Sequence, residues 1–115
     1  MSLAEKREEY VNLLKTSLTQ IIDKLSKSDN VKRISLFGSY TRGKADLFTD
    51  LDILIIMDTP KPFLERTKEV YALLALPVDA DILCYTPEEF EGLKNTPFFQ
   101  KILAEEIILY EKEQH

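Results

Sequence analysis

Residues 38–52 read GSYTRGKADLFTDLD and join two hydrophobic runs, VKRISLF before them and LDILIIM after. The stretch opens on Gly38-Ser39 and closes on Asp50 and Asp52, an Asp-x-Asp at the start of the second run. Both runs have strand length and are rich in β-branched and aromatic residues. If Asp50 and Asp52 lie on a strand, they leave the same face, with Cα atoms roughly 6.6 Å apart at a rise of about 3.3 Å per residue. Carboxylates at that spacing can lean together and share cations about 3.5–4 Å apart, as two-metal phosphoryl-transfer sites do. Alone, an Asp-x-Asp is weak: a turn acid followed by an exposed strand acid produces it too. The Gly-Ser turn strengthens it. Glycine at a strand end permits positive φ and close backbone approach, and the following N–H groups with the Ser39 hydroxyl can cradle an anion. The reading is a nucleotide whose phosphates lie on Gly38-Ser39 and whose magnesium lies on Asp50 and Asp52.

Working outward, Val31 to Phe37 reads as a first strand and Asp50 to Met57 as a second, with a short helical turn between them at Tyr40 to Lys44. Ser2 and Glu5 have capping-box spacing, so a helix starts almost at once. Val11, Leu14, Leu18, Ile22 and Leu25 form its apolar stripe; Lys6, Glu8, Glu9, Lys15 and Lys24 form a solvated face. Phe63, Thr67, Val70, Tyr71 and Leu74 mark the buried face of a second helix, which Pro77 ends. Val78 to Tyr85 is a third strand. Thr86-Pro-Glu-Glu89 is another capping box, with Pro87 at the favoured first helical position. Thr96-Pro97 opens a last helix, and Ile107 to Tyr110 reads as a closing edge strand. The class is a small α/β (α+β) domain with a mixed sheet of three to four strands and flanking helices, residues 1–115 forming one domain. The helix joining the second and third strands makes them parallel. The short connection between the first and second makes those antiparallel.

Val78-Asp79-Ala80-Asp81 supplies two candidates for a third carboxylate, and both can reach the same cleft. Asp81 is favoured, because Asp79 lies nearer the Pro77 turn. Arg42 has two readings, a phosphate contact or an ion pair with Asp46 or a neighbouring acid; Lys44 reads as solvated. Gly38 to Ala45 lies one residue from a P-loop pattern. That reading fails because Ala45 lacks the hydroxyl that holds Mg²⁺ and because the next strand begins too soon for the helix such a loop must open.

Composition narrows the classes. With 115 residues, 44% hydrophobic and 30% charged, the chain has the make-up of a single globular domain. A net charge of −5 makes nucleic acid a poor partner, so a phosphate ligand must be held locally. One Cys and one His exclude an intramolecular disulfide and a zinc cage; Cys84 reads as a small buried hydrophobe. No signal-peptide pattern or membrane-length apolar run is present, which points to the cytoplasm.

Gly38-Ser39, ten further residues, then Asp50-Leu-Asp52 resembles the signature of the DNA polymerase β-like nucleotidyltransferase superfamily. Arg42-Gly43 and the short length resemble its minimal, single-domain branch. VDADILCYTPEEFE is similar to that branch's third-carboxylate strand and following helix, with Asp81 in the matching position. The likeness runs from Val31 to Phe90; Thr49 stands where the family usually has Ser. It implies that Gly38 and Ser39 hold the β- and γ-phosphates of an NTP, ATP by preference, with Arg42 at a phosphate. Asp50 and Asp52 would bind two Mg²⁺ ions, and Asp81 would join one metal and help deprotonate the attacking hydroxyl. A nucleoside monophosphate would pass to the acceptor, releasing pyrophosphate. Minimal members also resemble the antitoxin half of two-protein systems with a small helical HEPN-type partner. The implied function is AMP transfer to a hydroxyl of such a partner; the rival is an inactive interaction protein that neutralises the partner by binding. A homo-oligomer is compatible with either.

Overall fold

A computed structural model describes residues 1–43 and 49–113. Among these, β1 (Val31–Phe37), β2 (Leu51–Met57), β3 (Ala80–Tyr85) and β4 (Ile107–Glu111) form one mixed sheet in the order β3-β2-β1-β4. β1 runs antiparallel to β2 and to β4, and β2 runs parallel to β3. The flanking helices are α1 (Leu3–Leu25), α2 (Phe63–Leu74), α3 (Pro87–Leu93) and α4 (Pro97–Glu105).

After Asp52, β2 is apolar to its end because both its faces are covered. On one face Ile53 and Ile55 pack with Leu14 and Ile21 of α1 and Val70 and Leu74 of α2. On the other, Leu54 and Ile56 meet Phe99 and Ile102 of α4. Each fully buried side chain of this kind contributes about 1.5–3 kcal/mol, so β2 is the best-anchored element and its first residues are held firmly. Cys84 is fully buried, and burial pushes its thiol up to about 11.

Three details differ from the sequence reading. The buried seam of α1 runs through Leu14, Ser17, Ile21 and Leu25, keeping Leu14 and Leu25 of the expected stripe but turning Ser17 and Ile21 inward in place of Leu18 and Ile22. The buried face of α2 is Arg66, Val70 and Leu74, while Phe63 and Tyr71 stay about two-fifths exposed, at 41% and 42%. Arg66 displaces them by donating to the carbonyls of Lys61 and Cys84 and pairing with Glu89. The helix also ends before Pro77. Ala75 adopts a left-handed conformation (φ 44°, ψ 52°), and Lys24, expected to be solvated, donates to the carbonyls of Leu73 and Leu74.

The helical turn after β1 is a 3₁₀ segment, Ser39–Arg42. It is too short for the helix a P-loop opens. Lys44, Ala45 and Asp46 lie outside the described residues, so the readings that fall on them are not addressed by the fold.

Candidate active site

The site forms where β1 ends and β2 and β3 begin. Gly38 has φ 82°, ψ −160°, a backbone that glycine alone adopts easily. Space requires glycine as well: a Cβ there would lie 2.0 Å from Asp52 Oδ2. The chain then bends into the 3₁₀ turn. The Thr41 N–H and hydroxyl both donate to the Gly38 carbonyl, at 3.1 and 2.6 Å, and Gly43 closes the turn in the left-handed region.

Asp52 occupies the centre. Its register partners are Phe37 on β1 and Asp81 on β3. Burial pushes its carboxyl up to about 6, reinforced by the charges of Asp81, Asp50 and Glu105 and by a hydrogen bond with Asp81. Asp50 precedes β2 and is exposed. The structure thus sets Asp81 and Asp50 within electrostatic reach of Asp52, with Gly38 against Asp52. Ser39 opens the 3₁₀ turn and lines a cavity of about 310 Å³ shared with Gly38, Arg42, Asp52 and, from α4, Lys101 and Glu105. A larger hollow of about 1000 Å³ lies at the opposite end of the sheet beside Arg33, Phe90 and Lys112. It contains none of the three aspartates, and its size carries no functional weight.

Asp79 is placed differently from Asp81. Its backbone carbonyl accepts the Leu51 N–H at 3.1 Å, starting the β2–β3 ladder and explaining why β3 begins at Ala80. Its charge acts on Tyr10, whose phenol is raised first by burial and then by Asp79 and Asp50. Arg42 pairs with Glu105 of α4, at 2.6 Å, an acid distant in the chain rather than a neighbour of the turn.

Three residues escape the sequence pattern. Tyr10 donates to the Thr49 carbonyl at 3.1 Å, tying α1 to the residue before Asp50. Tyr71 donates to the Ala80 carbonyl and accepts the Ile82 N–H, both at 2.9 Å, gripping β3 on either side of Asp81. Glu105 accepts from Gly38 and Arg42. A tyrosine on an amphipathic helix reads as part of its apolar face, and an acid at a helix end reads as solvated, so no local signal marks them.

The donor set fits a hard divalent cation. All three candidates are carboxylates, as Mg²⁺ sites require. Among the described residues no Lys or Arg pairs with any of them, and the mutual repulsion expressed in Asp52 is what a cation would relieve. Among the same residues, no group of three or more Asp, Glu, His or Cys side chains is drawn close enough to hold a metal ion by itself.

A strand-end glycine bend facing carboxylates from two parallel strands defines a class of protein. The chain belongs to the nucleotidyltransferase domain family, whose model matches residues 18–110, and it is an enzyme of that kind. It is 32% identical over 91 residues, 76% of this chain and 74% of the relative, to a Haemophilus influenzae (strain Rd) protein named "Probable protein adenylyltransferase MntA". Its fold matches a chain of a toxin–antitoxin complex solved with AMP-PNP, with TM-score 0.58 and 24% identity over 84% of this chain and 75% of that one. It also matches a chain of the Shewanella oneidensis complex between a tri-AMPylated HEPN toxin and an MNT antitoxin, with TM-score 0.52 and 21% identity over 85% and 72%. These two structural likenesses speak to the fold.

Proposed function

We propose that this chain is a Mg²⁺-dependent nucleotidyltransferase that moves AMP from ATP to a hydroxyl on a partner protein. We further propose that it is the antitoxin half of a pair whose partner is a small helical HEPN-type protein, working in the cytoplasm. The observation that carries the chemistry is the position of Asp52, in register with Asp81 and within contact of Gly38. The partner reading is supported by the MntA relative and by the complexes in which the structural neighbours occur.

In this reading the Gly38 and Ser39 N–H groups and the Ser39 hydroxyl hold the β- and γ-phosphates, and Arg42 adds a cation to them. Mg²⁺, held by Asp50, Asp52 and Asp81, supplies positive charge against the negative charge of the reacting phosphate. Asp81 accepts the proton of the attacking hydroxyl. The new O–P bond forms at the α-phosphate as the bond to pyrophosphate breaks, leaving AMP on the acceptor. Tyr10 and Tyr71 steady the backbone on either side of the acids, which keeps them in reacting geometry.

Incubation with a HEPN-type helical protein as the proposed partner and with ATP labelled at the α- or γ-phosphate tests this. The α-label should appear on the partner and the γ-label in pyrophosphate, with both outcomes lost in Asp52→Asn. Label on the partner from the γ-position would overturn nucleotidyl transfer. A partner still neutralised by Asp52→Asn would favour binding alone.

A further inference from the structure

Two of the groups assigned to phosphate already hold an anion. The Gly38 N–H donates to Glu105 Oε1 at 3.0 Å, and Arg42 Nη1 donates to Glu105 Oε2 at 2.6 Å. One carboxylate therefore bridges both ends of the bend with its two oxygens, as two oxygens of a phosphate can. Glu105 is the last residue of α4, and its side chain faces the cavity that holds Asp52. The pair borders solvent, with the Arg42 side chain half exposed and that of Glu105 about one fifth (50% and 21%). The following residue anchors the helix end: Glu106 accepts from Ser35 and pairs with Arg33. Glu105 can therefore swing away while α4 stays docked. Lys101, one helical turn earlier on α4, lines the same cavity.

We propose that Glu105 is a resident anion of the phosphate subsite, holding Gly38 and Arg42 in donor position until the substrate's phosphates displace it. The proposal rests on the reading of Gly38, Ser39 and Arg42 as phosphate donors. A tethered carboxylate competes at an effective concentration of about millimolar or more. A polyphosphate prevails because it brings several charges and also reaches Ser39 and Lys101, which Glu105 leaves unused.

The test is calorimetric titration of inorganic tripolyphosphate, in EDTA, into wild type and Glu105→Gln. Removing the competing charge should tighten binding roughly fivefold to tenfold, the range expected for a solvent-bordering ion pair plus one charge-assisted hydrogen bond. With the helical partner present, the variant should also lower KM for ATP by a similar factor, because ground-state competition has been removed. In the wild type, the Gly38 amide resonance should move on saturation, a readout that needs no variant. Unchanged or weaker binding by the variant, or an unmoved Gly38 amide, overturns the proposal alone. If neither protein binds tripolyphosphate in EDTA or with Mg²⁺ in its place, the nucleotide reading beneath it falls as well.

Discussion

Asp52 holds two opposed properties in one carboxylate. It is partly buried among like charges, which pushes it up to about 6, and a carboxylate raised in the folded state favours the protein most when it is neutral. Its contribution is therefore fully present below the unfolded value near 3.8 and is lost as pH rises through 6. Asp52→Asn should raise the melting temperature at pH 8, and the gain should fade toward pH 4; the variant should also lose transfer activity. Melts of both proteins across that range check the sign, and a gain that grew on acidification would contradict it. Gly38→Ala should be destabilised by about 1–3 kcal/mol for the positive-φ extended backbone alone, with the collision against Asp52 added; urea unfolding measures it. At this scale the Gly-Ser and Asp-x-Asp pattern was readable because its members are close in sequence. Glu105 was not, since it is 67 residues from Gly38 and nothing near it differs from an ordinary helix end.

The elements were read best where periodicity and capping agree. β1 begins and ends where its sequence predicts, β2 begins one residue later, and the Thr86 capping box forms with both of its hydrogen bonds. Helix faces were read less well, because tertiary demands override the apolar stripe. Arg66 is buried on α2 because two carbonyls and Glu89 take up its donors, an arrangement no hydrophobicity pattern contains. Tyr71 was expected in the core; its ring stays half out so that its hydroxyl can fill the open edge of β3. On α1, Ser17 is fully buried and its hydroxyl has no hydrogen-bond partner among the described residues. Ser17→Ala should therefore stabilise the fold by about 1 kcal/mol, the cost of an unsatisfied buried hydroxyl removed at almost constant volume. Chemical denaturation would show it, and a loss of stability would mean that the hydroxyl has a partner.

For the whole molecule, the sheet order β3-β2-β1-β4 sets the carboxylates of two parallel strands beside the glycine bend that ends the antiparallel one. The helix between β2 and β3 and the short β1–β2 connection carried that topology in the sequence; the α4 wall of the cavity did not, because helix docking depends on contacts distant in the chain. The chain is acidic, at −5, and the charges of Asp50, Asp81 and Glu105 bear on Asp52 at this sheet end, so a divalent cation arriving with a nucleotide should stabilise the molecule as a whole. Among the described residues no helix is long and apolar enough to cross a membrane. The most direct test is the melting temperature of wild type and Asp52→Asn with Mg²⁺ and a non-hydrolysable ATP analogue. The wild type should gain about 2.7 kcal/mol at a hundredfold excess over Kd and the variant should gain far less. No gain in the wild type, or an equal gain in both, would contradict a metal–nucleotide site built on these aspartates.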